Sequence, residues 1–372
     1  MVRLTLLLLP LLLPACSAFR EADDAGPLDR GHADGGDANS PADGPAPDRG
    51  LTGDAPPAKP CLTLPLPCLD PAPASVIEVP TEASVADAFA SAKANDTIQL
   101  RGAALGAGWK IPAYVTLRGC QGATIAGGIS FAGSGGTVEG FTVEGNGTIV
   151  ANQTGAYVIR HNRFGASTAV RGVSARSIDA LVFASVTAVV EGNWFTQRTH
   201  GVEAATKYDT GTHAVDLTLR NNVFSAVDYP VIVSEGGKVG KITAVIEHNT
   251  LYDFVTGLQL TGLDQVTKTR GNLLVQGTRA VSAAAPYEVS HSATWQVTEP
   301  GDPPFAGAFA SADPALVDPA GGDLRPGSGS AVVDVIPASA VMPTEDYLGC
   351  PRPVAVKGGA SLGDMGAFEL QP

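Results

Sequence analysis

His200 and Glu203 stand three residues apart in the segment HGVEA, a spacing that can bring an imidazole and a carboxylate to one groove if the segment is extended. Arg171 and Tyr229 hold the first place of the matching segments RGVSA and YPVIV on either side. A histidine or tyrosine base, an arginine to neutralise a carboxylate and Glu203 as acid form the set that elimination on an acidic sugar requires. Lys207, Tyr208, Asp209 and His213 follow Glu203 in a loop, and Gln259 and Arg279 take corresponding places further along. These six are the candidate substrate contacts. The same side chains would serve a groove that holds sugar without turning it over, or an ordinary solvated strand face. His161 and His248 are expected in turns, and Trp109, Trp194 and Trp295 in packing against caps and turns.

The elements that position these groups are written in a repeat. The phrases IRHNRF, VEGNWF, LRNNVF, IEHNTL and TRGNLL carry Asn162, Asn193, Asn222, Asn249 and Asn272 at spacings of 31, 29, 27 and 23 residues, the length of one solenoid coil. Alternation on both sides of each asparagine points Ile159, Val190, Leu219 and Ile246 inward before the bend. Phe164, Phe195, Phe224, Leu251 and Leu274 point inward after it. Each asparagine is expected to take the turn conformation, and coils stacked at about 4.8 Å would let the amides bond one another along the axis. LRGCQG and VEGFTV fit the same frame, with Cys120 and Phe141 at the corner.

Two places before each corner the residues run Arg118, Glu139, Arg160, Glu191, Arg220, Glu247 and Arg270, so stacking would set every charge beside its opposite. A solvated ladder of this kind contributes about 0–1 kcal/mol per pair. The segments that begin with Arg171, His200, Tyr229, Thr256 and Arg279 follow the corners at nearly constant distance, which implies at least two strands per coil and a tight edge between them. Length varies on the opposite side, in 175–187, 204–216, 234–243 and 261–267. Any specific site is expected on those loops or the strand beside them.

The 372 residues include 44 glycines and 6% aromatics, which suits a thin stacked core covered at its two ends. A short amphipathic helix over 84–94 is the expected N-terminal cap. Arg3 and the apolar run Leu4–Leu13, ending in Leu13-Pro14-Ala15-Cys16, form an export signal too short to span a bilayer with ease. Residues 17–60 hold nine carboxylates and four basic residues among Gly, Pro and Ala, a composition that cannot bury enough surface to fold. With a net charge of −13 the chain is a poor ligand for nucleic acid. Cys61, Cys68, Cys120 and Cys350 permit two disulfides in three pairings. Cys61 with Cys68 and Cys120 with Cys350 is the favoured set, and the four are too scattered for zinc.

The stacked phrases resemble the right-handed parallel β-helix proteins of the pectate-lyase-like superfamily over about 75–295, and the end of the signal resembles a bacterial lipobox with Cys16 as the lipidated residue. In the tail, Asp313 to Asp318, Asp323 to Asp334, Gly349-Cys350-Pro351-Arg352-Pro353 and Gly363 to Glu369 look like the C-terminal module called choice-of-anchor Q. The match departs at Cys350, where that module carries a polar residue. What the resemblance implies is an all-β chain: a parallel β-helix with an N-terminal helical cap and an irregular C-terminal segment packed back on it. The expected division is a signal peptide at 1–15, a disordered acidic tether at 16–60, the β-helix at 61–295 and the tail module at 296–372. Anchorage in the bacterial envelope follows, with the outer membrane or cell surface favoured.

Fold alone does not assign activity within this superfamily. Its lyases need carboxylates on adjacent coils to hold calcium, and its hydrolases need clustered aspartates. Neither pattern is present: the Asp-Asp pair of the chain, Asp23 and Asp24, lies in the tether, and no ligand cluster for calcium or other cofactor is evident. The expectation is a monomeric, lipid-anchored protein that binds a polysaccharide or another surface component without catalysis. A lyase or hydrolase centred on His200 and Glu203, and a structural spacer or adhesin, are the alternatives.

Overall fold

The computed structural model describes residues 65–70, 73–81, 84–177, 185–206, 214–235, 241–261, 266–284, 287–301, 309–337, 340, 342–352 and 362–370. The signal, Cys16, the acidic segment, Cys61 and the loop carrying Lys207, Tyr208, Asp209 and His213 lie outside them. Among the described residues the coils build a 10-stranded and a 14-stranded sheet, and the strands of both pair in parallel with the preceding and following coil. The fold is a parallel β-helix.

The inward residues expected on both sides of the corner are fully buried. Before it, Ile98, Leu117, Val138, Ile159, Val190, Leu219 and Ile246 stand in one register column. After it, Phe164, Phe195 and Phe224 stack face to face, with centroids 4.5 and 4.7 Å apart. That spacing matches the rung repeat of about 4.8 Å, so each ring meets the next without a gap. The recurring Gly-Val segments follow from this stack. A Cβ on Gly201 would lie 2.6 Å from the Phe224 ring, so bulky side chains in Phe224's column require a residue without one at position 201.

The corner differs from expectation. None of the five asparagines takes a positive φ; the residue before it does, as His161 (55°), Gly192 (60°), Asn221 (53°), His248 (52°) and Gly271 (61°). A second left-handed bend follows five residues later at Gln197, Ala226, Asp253 and Gln276. The chain is therefore kinked rather than broken between the two outer segments, and Trp194–Thr206 and Thr250–Thr261 each run as one strand.

Freed from the turn, the asparagines are wholly buried and work as rungs. The Asn222 Oδ1 accepts from the Nδ2 and the backbone N–H of Asn193, each at 3.0 Å. Its own Nδ2 donates to the Arg220 carbonyl at 2.9 Å and lies 3.0 Å from the Asn249 Oδ1. The ladder runs from Asn162 to Asn272 and ends on an unforeseen coil, where the Ser292 hydroxyl accepts from the Asn272 N–H at 3.1 Å.

The charge ladder forms, but it is not fully solvated. Glu139 and Glu247 side chains are only 5% and 6% exposed. Glu139 is gripped by Arg118 and by Arg160 at 2.7 Å, and Arg220 and Arg270 close on Glu191 and Glu247 at 2.7 Å. Backbone stacking has drawn the carboxylates under longer arginines, so removing one arginine strands a buried charge instead of losing a weak surface pair.

At the N-terminal end the helix Val85–Ser91 buries Val85 and Ala88, and Phe89 sets its ring edge-on to Trp109 at 5.5 Å. The entry segment then lies along the first coils, where the Leu69 N–H donates to the buried Gln99 at 2.9 Å and Arg118 reaches the Pro67 carbonyl. This places Cys68 over Cys120, and the two form a disulfide with Cα atoms 5.2 Å apart. The pairing favoured from sequence is thus overturned. Cys350 is disulfide-bonded but not to Cys120: its segment docks at Asn221 and His248, four and five rungs of about 4.8 Å along the axis, beyond the reach of a disulfide.

Replacing Asn222 by Ala should leave the Asn193 backbone N–H without its acceptor inside the stack and take the Nδ2 donor from the Val190 and Arg220 carbonyls. At about 1–3 kcal/mol for each buried unsatisfied group, urea unfolding should show a loss of about 3–5 kcal/mol. A loss below about 1 kcal/mol would mean that the rungs are dispensable.

Candidate functional site

The strand Trp194–Thr206 carries both His200 and Glu203, and its neighbours put Arg171, His200 and Tyr229 in one register column. The His200 and Tyr229 rings stack with centroids 5.5 Å apart and planes 22° from parallel. The three positions fall on consecutive rungs as the spacing predicted, in a line along the axis. Glu203 belongs to the next column, between Ser174 and Ile232, with Gln259 one rung beyond. It is buried at 6% exposure, and its column brings no second carboxylate to it. Arg279 stands three rungs from His200, opposite Thr256, and is engaged by Glu299 at 2.6 Å. The strip is therefore linear: an arginine position and a stacked pair of rings on successive rungs, with the Gln259 amide one rung further on in Glu203's column.

A concavity lies elsewhere, where the tail crosses the helix. The outward residues after the corners include Val223, Leu273, Val275 and Ala293, all buried, because the tail packs on them with Val332, Ile336, Leu324, Ala367 and Phe368. Those outward apolar positions were a legible signal that the face is covered. Where the cover stops, a cleft of about 600 Å³ remains, lined by Arg163, Trp194, Thr196, Ser225, Tyr347 and Phe368 among others. Tyr347 sets its ring edge-on to Trp194 at 5.7 Å and to Phe368 at 5.4 Å. Trp194 therefore packs, as expected, but on the tail and at the lip of a cleft. Arg163, Thr196, Ser225 and Tyr347 were not found from sequence, since nothing in their local spacing distinguishes them from other outward positions.

The tail has few ladder bonds and is organised by buried polar groups. Arg352, wholly buried, donates to the Gly366 carbonyl at 2.8 Å and to the Asp364 carbonyl at 3.1 Å. Its Nη1 lies 2.8 Å from the His248 Nδ1 on the helix, and Glu369 is 3.6 Å away. Asp346 accepts the N–H groups of Leu348, Cys350 and Glu369, and Asp364 those of Asp334 and Leu370. Burial, helped by the Arg352 charge, holds the His248 imidazole well below its ordinary pKa. It is neutral at pH 7 and can accept from Arg352. Among the described residues no group of three or more His, Cys, Asp or Glu is placed to hold a metal ion, and no helix is long and apolar enough to cross a membrane.

No family model matches the chain, and no curated protein matches it. Among solved structures, a mutant of the PL6 family alginate lyase AlyGC is similar at 13% identity and a TM-score of 0.25, over 65% of this chain. The chain spans about half of that lyase, 54% of its length. A likeness at this level carries nothing about activity here.

The His248 contact makes docking of the tail sensitive to pH. In the unfolded chain the imidazole titrates near pH 6.5, whereas the folded protein resists protonation at that site. Stability from this group is present above the unfolded value and is lost as pH falls below about 6.5. The urea midpoint should drop between pH 7.5 and 5.5, and His248→Gln should flatten the slope. His161, depressed mainly by burial, should leave a residue of it. An unchanged slope in the variant would show that His248 does not link the tail to pH.

Proposed function

We propose that this is an exported, lipid-anchored envelope protein whose β-helix holds an extended polysaccharide along its outer strip without turning it over. The observation that carries the reading is the in-register placement of Arg171, His200 and Tyr229 on consecutive rungs. Groups spaced along an axis suit a long, repeating ligand. Turnover instead needs an acid and a base converging on one bond, and glycoside hydrolysis needs two carboxylates flanking it. Glu203 is nearly closed to solvent, and Ser174 and Ile232 are its register neighbours. The stacked His200 and Tyr229 rings, both half-buried, give two adjacent rungs an aromatic, partly polar lining against which a sugar can lie.

The anchor rests on the sequence. Arg3, the leucine-rich run before Cys16 and the acidic, Gly- and Pro-rich segment after it suit acylation at Cys16 followed by a spacer. Fatty-acid labelling of the expressed protein should be lost in Cys16→Ser; retained labelling would sink the anchor.

A screen against acidic and neutral polysaccharides, following binding beside unsaturated product and reducing ends, tests the rest. Binding without product, weakened about tenfold by Tyr229→Ala, is the expected result. Product that disappears in Glu203→Gln or His200→Ala would make the protein a lyase or hydrolase. No binding to any glycan would leave the spacer or adhesin reading.

A further inference from the structure

The cleft between helix and tail has a chemistry of its own, separate from the outer strip. Arg325 at its edge is already neutralised, with bonds of 2.8 and 2.5 Å to Asp323. Arg163 is exposed and makes no ion pair among the described residues. The Tyr347 ring is buried, at 4% exposure of the residue, but its hydroxyl is not closed off from solvent and makes no hydrogen bond among the described residues, so it can meet a ligand without giving up an internal partner. The Thr196 and Ser225 hydroxyls, half-buried on adjacent rungs, are likewise unengaged among the described residues. Trp194 and Phe368 supply apolar walls.

We propose that this cleft binds a carboxylated sugar residue, with Arg163 holding the carboxylate and Tyr347, Thr196 and Ser225 meeting the ring hydroxyls. One unpaired guanidinium suits a planar monoanion, which it can grip with two parallel bonds. Three free hydroxyls and aromatic walls suit a ligand that is polar at its rim and apolar on its faces. The volume of about 600 Å³ falls within the range of small-ligand pockets, roughly 300–1,000 Å³. Burial raises the Tyr347 phenol above its ordinary pKa, so it remains a donor throughout the physiological range. Phosphate is disfavoured, since a dianion would call for a second unpaired cation.

The test is calorimetric titration of the purified full-length chain with D-galacturonate, D-glucuronate, galactose and acetate. A uronate should bind, and galactose and acetate should bind at least about tenfold more weakly. Arg163→Gln should weaken the uronate about tenfold or more. Tyr347→Phe should weaken it several-fold while leaving the melting temperature unchanged, because the hydroxyl has no internal partner to lose. Lys268→Ala, on the other sheet, should bind the uronate as the parent does, and the losses in Arg163→Gln and Tyr347→Phe assign the binding to this cleft rather than to the strip. Failure of both uronates to bind, equal binding of galactose or acetate, or an Arg163→Gln variant that binds normally would each overturn the assignment.

Discussion

Rung spacing is the constraint on which the rest of the molecule depends. Parallel coils repeat at about 4.8 Å, so whatever occupies a place in one coil must meet its counterpart in the next at that distance. Asparagine suits the corner because its amide both donates and accepts along the axis, and the buried run from Asn162 to Asn272 satisfies the backbone of each neighbouring coil as well. Flat rings suit the next inward column for the same reason, as Phe164, Phe195 and Phe224 show. Gly201 is a by-product of that stack. Alternation of Arg and Glu is the electrostatic form of the same rule: like charges at rung distance would repel, and opposite charges close into pairs.

The outside of the helix obeys a different economy. A parallel sheet exposes its outer columns, and here two of them turn apolar at Val223, Leu273, Val275 and Ala293 because the tail lies over them. The tail cannot borrow the ladder's repeating bonds, so it is held by a few charged side chains that each satisfy several backbone groups. Arg352, Asp346, Asp364 and Glu369 are buried where charges seldom are, and they are mutually bonded or bonded to main chain. His248 is the point where this network meets the helix: a turn residue of the ladder that is also a neutral acceptor for the tail.

These two organisations create different surfaces. Along the strand face the rungs spread Arg171, His200 and Tyr229 into a line, which suits a long ligand and works against a convergent catalytic centre. At the margin of the tail a repeating surface meets an irregular one, and their mismatch leaves a cleft with a single unpaired arginine and unengaged hydroxyls. A protein with a net charge of −13 thus retains local places suited to an anion, because the field in a cleft is set by its nearest groups and distant charges are screened within about 8–10 Å.

Amino-acid order alone determined the coil, its inward columns, the asparagine ladder and the pairing of opposite charges, since each arises from short-range period and a fixed rung repeat. Spacing also placed Arg171, His200 and Tyr229 on consecutive rungs. It misassigned the turn to the asparagines because an amide that can tolerate a left-handed bend can equally serve as a buried rung, and only the backbone shows that His161, Gly192 and Asn221 take the bend. Tertiary structure decided that Cys68 and not Cys350 faces Cys120, because disulfide partners depend on where distant segments dock. It also decided that Glu203 is closed off, that Arg279 is taken by Glu299 and that Tyr347 comes beside Trp194 and Arg163. Each of those outcomes joins residues that the repeat does not relate, and the free energy of such contacts depends on burial and neighbours rather than on separation along the chain.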